Sequence, residues 1–243
     1  MSDEATQEPN VAEIRSLPEG SREWLSAVDR TMIFRPASEL GISCGTVTFD
    51  LEQEKVLIIW HNGLAVHQLP KGRRNIGETL WDAAIRETSE ETGYAVSLPE
   101  LNIATRATSA GPSRTQESGS SRITEDEWSR EFIGACFYPD PQSATPAWKT
   151  VYYYAAFADS TAVADPSVQP EGETAVGKWI PLHEVEETVF FSAERMTIWK
   201  GKSDVEKSGY KFGGRVQKPV NGSMSLGQSN GTSAKKTPVN GTS

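Results

Sequence analysis

Histidine and cysteine are scarce in this chain, three and two among 243 residues, and the scarcity excludes several chemistries. Cys44 and Cys136 each sit in an apolar, strand-like run, which gives neither a disulfide framework nor a zinc-ligand spacing. Both are expected to be reduced core thiols. His61, His67 and His183 are scattered and stand beside no evident nucleophile, so nothing supports a Ser–His or Cys–His mechanism. They are expected to be structural or superficial, His67 being the one that lies near the segment discussed below. Long apolar runs are missing too. No stretch approaches the ~18 consecutive apolar residues of a membrane helix. The opening MSDEATQEPNVAEIRS is acidic and polar, without the apolar core of a secretory signal. These features predict a soluble protein, cytoplasmic or nuclear or both.

Positive charge is also short. With 24 Lys/Arg against 33 Asp/Glu the formal net charge is -9, which argues against sequence-independent binding of nucleic acid phosphates as the main task. The deficit is uneven. Residues 201 to 243 hold seven Lys/Arg and two Asp/Glu, whereas the first 200 hold 17 and 31. Hydrophobic residues make up only 37%, which predicts disordered ends diluting a normal core.

What is present divides the chain into three. Residues 1–20 read as a disordered arm, 21–200 as one folded domain and 201–243 as a Ser/Asn/Gly/Thr-rich disordered tail. In that tail KPVNGS returns as KTPVNGTS, and its N-x-[ST] triplets at Asn221, Asn230 and Asn240 read as low complexity rather than glycosylation sites. Within the domain a short helix is predicted over 21–28, capped by Ser21, with Trp24, Leu25 and Val28 as its apolar stripe. Strands are predicted at 43–50, 55–60, 65–69, 131–138, 150–158 and 177–182. A long Ser/Gly/Pro/charge-rich loop covers 108–130, and a last helix covers 192–200 with Met196 and Trp199 facing inward.

The most ordered pattern is QLPKGRRNIGETLWDAAIRETSEETGY, residues 68–94. A helix is predicted from Glu78 to Thr92, opened by Thr79 with Asp82 three residues on and closed by Gly93 in the left-handed region. Leu80, Ala84 and Thr88 line one side of it. Glu87, Glu90 and Glu91 then stand at i, i+3 and i+4 and crowd another face. Like charges at that spacing cost ~0.2–0.5 kcal/mol per pair when exposed. A divalent cation among them removes the cost, and an all-oxygen site suits Mg²⁺ or Mn²⁺. Arg86, four residues before Glu90, can steer a carboxylate. Gly72 lets its backbone carbonyl approach a metal, while Lys71, Arg73 and Arg74 bring positive charge to where anionic oxygens would lie. The helix N-terminus at 77–79 adds its dipole. A solvated, Glu-rich face is the plain alternative for RETSEE alone; the joint spacing from Gly72 to Gly93 argues against it.

That spacing resembles the Nudix box, G-x5-E-x7-R-E-U-x-E-E-x-G-U with U apolar. Gly72, Glu78, Arg86, Glu87, Glu90, Glu91 and Gly93 fill every fixed position, while Thr88 and Tyr94 depart at two U positions. The strand order around the box is also similar to the Nudix α/β/α sandwich with a mixed sheet, over residues 30–200. The resemblance implies a hydrolase in which water attacks a phosphorus of a diphosphate joined to another moiety, with Mg²⁺ as cofactor (Mn²⁺ able to substitute). It implies metal ligation by Glu90, Glu91, Glu87 and the Gly72 carbonyl. Glu87 is implied as the residue that takes the proton of the attacking water, with Arg86 and Glu78 orienting the carboxylates. Relatives carry a further metal-binding Glu before a Trp on a late strand; EGETAVGKW offers Glu173 ahead of Trp179, with Glu171 as the alternative.

The lead-in Leu69-Pro70-Lys71-Gly72 resembles the LPKG of fungal and plant diphosphoinositol polyphosphate hydrolases, which also cleave dinucleoside polyphosphates. Where those often have a further Gly, this chain has Arg73-Arg74. Lys71, Arg73 and Arg74 are the expected substrate contacts, with Arg106, Arg114, Arg122 and Lys149 as possible additions; for the loop arginines, ordinary solubility explains them equally well. Trp148 and Tyr152 to Tyr154 fit either base stacking or cross-strand packing. The expected partner is a small-molecule polyphosphate, with neither membrane nor nucleic acid. Two alternatives remain. One is a catalytically silent Nudix-fold sensor, and the other is a hydrolase of ADP-ribose, a nucleoside triphosphate or capped RNA.

Overall fold

The computed structural model describes residues 11–108, 127–141, 143–170, 172 and 175–214. Its frame is β1 (Leu40–Asp50), whose long run of small and β-branched residues is buried from Ser43 onward on both faces. One edge of β1 pairs in parallel with β8 (Trp148–Phe157) over ten residues. The other edge takes two short antiparallel partners, β2 (Lys55–His61) near its end and β4 (Lys71–Arg73) near its start. Beyond β2 lies β9 (Ala175–Pro181), which pairs along its whole length, while β3 (Val66–Gln68) pairs with the end of β2 on the same edge as β1; beyond β8 lies β7 (Gly134–Pro139). The seven strands form one mixed sheet. β5 (Leu101–Asn102) and β6 (Trp128–Ser129) form a separate small ribbon.

Two helices cover the sheet, and alternation along β1 decides which residues each one meets. Val47 and Phe49 join Val151, Tyr153, Ile180, Ile198 and Val205 in the larger core, beneath α5 (Ser192–Lys207). Cys44 joins Ala83, Ala84 and Tyr154 beneath α3 (Leu80–Thr92). The α3 side is lined by hydroxyls: Thr46 shares hydrogen bonds with Thr48 at 2.6 Å and Thr88 at 2.8 Å, all three fully buried. The expected α/β/α sandwich with a mixed sheet is therefore present. No helix among the described residues is long and apolar enough to cross a membrane.

Several boundaries differ from the sequence reading. Val11–Ser16 form a helix, α1, inside the segment read as an arm. α2 (Arg22–Asp29) is capped by Ser21 as expected, but it buries Ala27 and leaves Leu25 exposed. Trp24 and Val28 of the expected stripe are half-buried beside Ala27. The last helix runs on to Lys207, and Val205 and Tyr210 reach the core beyond the expected end at 200. In it Met196 is 73% exposed, against expectation; Ile198, Gly201 and Asp204 face the sheet, while Trp199 is half-buried. Residues 109–126 of the long loop, and the tail from 215 with its three N-x-[ST] triplets, lie outside the described residues, as do residues 1–10.

Candidate active site

α3 begins where the sequence places it. Thr79 accepts the Asp82 amide at 3.2 Å, and Gly93 stops the helix at φ 75°. Ala84 and Thr88 face the sheet, and Leu80 is half-buried against the same cluster. The acidic face turns to β4. There the Glu87 carboxylate packs directly on Gly72: a Cβ at that position would lie 1.8 Å from Glu87 Oε2. Gly45, opposite Lys71 on β1, admits the chain in the same way, since its Cβ would lie 2.1 Å from the Pro70 carbonyl oxygen. The amide of Lys71 donates to Glu91 Oε2 at 2.7 Å.

Arg86 gathers the remaining carboxylates. Its Nε and Nη2 hold both oxygens of Glu78 at 2.8 Å, a bidentate pair. Its Nη1 reaches Glu87 Oε1 at 2.7 Å and Glu90 Oε2 at 2.9 Å, and Nη2 also donates to the Arg73 carbonyl at 3.0 Å. The Asn75 amide adds a bond to Glu78 Oε2 at 2.9 Å. The hydrogen bonds from Arg86 hold the Glu78 carboxyl down at about 2. Glu87 moves the other way: its burial outweighs the help from Arg86, and Glu90 and Glu78 add repulsion. The result is a carboxylate with raised proton affinity beside one whose affinity is lowered.

A family model for the NUDIX domain matches residues 40–200. The chain belongs to the Nudix family. It is thus a hydrolase of the pyrophosphate-bond class. Among solved structures this Nudix chain is similar to a NUDIX hydrolase from Nitrosomonas europaea, at 14% identity, TM-score 0.44 and coverage of 67% of this chain and 88% of that one. A C. elegans Ap4A hydrolase in a binary complex is 17% identical, with TM-score 0.46 and coverage of 69% and 98%. A NUDIX-family hydrolase from Clostridium perfringens is 16% identical, with TM-score 0.44 and coverage of 68% and 97%. Compared by sequence with curated proteins, the chain has no match.

As placed, no three acidic, histidine or cysteine side chains among the described residues converge on a point that could hold a metal ion. Glu87 and Glu90 are drawn onto Arg86, and Glu91 onto the Lys71 amide. The donors nevertheless suit a hard divalent cation in kind. They are all carboxylate oxygens on one helical rim, and the Gly72 cradle lets Glu87 sit against the backbone of β4. Glu173 and Glu171 lie outside the described residues.

The expected substrate contacts separate. Lys71 Nζ turns away from α3 to the Leu69 carbonyl and to Glu194 Oε1, both at 3.1 Å, with its side chain only 9% exposed. Arg74 donates to the Glu78 carbonyl at 2.8 Å and keeps a buried, unpartnered Nε. Arg73 is open to solvent, 3.5 Å from Asp140. Lys149 joins this edge, half-buried; burial and its neighbours Lys71 and Arg73 make its ammonium easier to deprotonate. Arg106 is exposed, and Arg114 and Arg122 lie outside the described residues.

The tyrosines pack rather than stand free. Tyr152 and Tyr154 meet Phe132 edge-on, Tyr153 donates to Glu194, and Trp148 lies under Arg35. Cys44 and Cys136 are both free thiols, and burial pushes Cys44 up to about 11. His67 meets Trp60 edge-on, His61 accepts the Leu64 amide, and His183 lies 4.0 Å from Glu184. Glu194 has no counterpart in the sequence reading, which turns Met196 and Trp199 inward and so leaves this residue on the opposite face.

Proposed function

We propose that this chain is a Mg²⁺-dependent pyrophosphohydrolase whose substrate is a densely anionic polyphosphate, a diphosphoinositol polyphosphate or a dinucleoside polyphosphate. The observation that carries the reading is the Arg86 hub, which brings Glu78, Glu87 and Glu90 together beside Glu91. Glu90, Glu91, Glu87 and the Gly72 carbonyl, with Glu173, would hold Mg²⁺. When bound, the ion supplies neutralisation of phosphate charge and a more acidic water. Glu87 takes the proton of the attacking water, a role its raised proton affinity suits. Glu78 never competes for that proton, because Arg86 keeps it ionised. Arg86 itself orients the carboxylates and does not leave them to repel one another.

Open positive charge at Arg73 and half-buried charge at Lys149 support a substrate with phosphates beyond the scissile pair. Glu90→Gln is expected to lower turnover by at least ~10²-fold while circular dichroism stays unchanged. The assay separates the two products of cleavage by anion-exchange chromatography, for dinucleoside polyphosphates, diphosphoinositol phosphates, ADP-ribose and capped RNA. Ligand binding without turnover of any member makes the chain a sensor instead; turnover confined to ADP-ribose or capped RNA overturns the substrate class.

A further inference from the structure

Glu194 lies in the first turn of α5, on the opposite side of the sheet from the carboxylates of α3, and it is 4% exposed. Both of its oxygens are engaged. Oε2 accepts the Leu69 amide at 2.9 Å. Oε1 accepts the Tyr153 hydroxyl at 3.0 Å and lies 3.1 Å from Lys71 Nζ, which itself donates to the Leu69 carbonyl. Two of the three partners, Leu69 and Lys71, belong to the short segment that enters β4. The same segment serves α3 with its backbone: the Lys71 amide holds Glu91, and Gly72 bears against Glu87.

Burying an ammonium and a carboxylate is a poor way to gain stability, because desolvation consumes most of the attraction. What such a pair gives is a fixed geometry. β4 is only three residues long and has few ladder bonds of its own, so an outside anchor decides where it sits. Tyr153, packed in the core, fixes the Glu194 carboxylate in turn.

We infer that Glu194 is a positioning residue of the hydrolase: through Lys71 and the Leu69 amide it fixes the 69–72 segment on which Glu91 and Glu87 rest. The ammonium of Lys71 is committed to this pair rather than to substrate. The inference rests on the reading of Glu87 and Glu91 as reaction-site carboxylates.

The test is Glu194→Gln, which keeps an acceptor for Leu69 but removes the charge that balances Lys71. Amide hydrogen exchange across 68–73 is expected to rise by at least ~10-fold, with α3 and β2 unchanged. Mn²⁺ affinity, read by electron paramagnetic resonance, and kcat on diadenosine tetraphosphate should each fall by ~10-fold or more, with KM unmoved. Lys71→Met should likewise lower kcat and spare KM; a raised KM places Lys71 on substrate and overturns the assignment.

Exchange that rises throughout the fold, or nowhere, also overturns it. If Glu194→Gln does not fold, the neutral Lys71→Met/Glu194→Gln pair carries the same comparison, with local exchange still raised and kcat still lowered. Wild-type values in that double variant refute the inference. A wild-type protein that cleaves neither diadenosine tetraphosphate nor a diphosphoinositol phosphate, yet loses order at 68–73 and Mn²⁺ affinity on Glu194→Gln, refutes the proposed substrate and leaves the positioning role standing.

Discussion

At Gly72 a single hydrogen atom separates β4 from the Glu87 carboxylate. The backbone there is ordinary extended chain, so alanine costs nothing in conformation; the difficulty is the 1.8 Å gap to Glu87 Oε2. The obstructing atom is the far end of a flexible side chain, which can rotate away cheaply. Gly72→Ala is therefore expected to leave the melting temperature nearly unchanged while Glu87 leaves its place. Turnover should fall by ~10²-fold, the scale of an ångström-sized misplacement of a reacting group. Full activity in a folded Gly72→Ala variant, checked by circular dichroism beside chromatographic product analysis, removes Glu87 from the mechanism. The fixed spacing of the box made this residue legible. Lys71, its neighbour, was legible as a cation but not as a partner of Glu194. That contact spans 123 residues of chain and depends on which side of the sheet a short strand turns each group.

The elements most readable in advance were those with local punctuation. α3 has a capping threonine, a stop glycine and a periodic apolar face, and its predicted span differs from the observed one by two residues at the start. α5 has no capping side chain, and the glycine right after its expected end, Gly201, lies inside the helix against Ile133 and Phe49, while the left-handed glycine comes only at Gly209, so its last two turns went unread. What the sequence could not show for α3 is how it is tied to the loop before it. Glu78 precedes the helix and is held by Arg86 in its second turn, so the pair locks the entry angle. The sign of its pH dependence follows from the lowered carboxyl. Its folded value of about 2 lies below the ordinary 4.5, so the stabilisation is present above the ordinary range and is lost as pH falls through about 2. Glu78→Gln is thus expected to lower the melting temperature by ~3–8 °C at neutral pH. The gap to wild type should close as the pH is taken down from about 5 towards 2. A gap that stays constant across that range in parallel melts means the Arg86–Glu78 charge pair does not stabilise the fold.

For the molecule as a whole, the sheet is sandwiched unequally. α3 brings the chemistry and packs on hydroxyls and alanines, whereas α5 brings bulk and closes the larger core. That core extends past the family match at residue 200. Val205 is fully buried, Tyr210 meets Phe157 at 5.0 Å, and Phe212 meets Phe49 at 5.4 Å. The Gly213 amide closes the path by donating to the Leu51 carbonyl at 2.8 Å. Composition hid this, because the Lys- and Ser-rich stretch after 200 reads as the start of a tail, while only a few apolar side chains spaced along it do the packing. Each buried Val or aromatic side chain is worth ~1.5–3 kcal/mol, so losing Val205, Tyr210 and Phe212 removes several kcal/mol from a domain whose total is ~5–15. A chain ending at Lys200 should therefore melt at least ~10 °C below the full-length protein or fail to fold, while one ending at Gly214 should melt within a few degrees of it. Calorimetry on the two truncations decides the matter. Equal melting temperatures would mean that residues 201–214 rest on the surface of the sandwich and that the folded unit ends where the sequence first placed it.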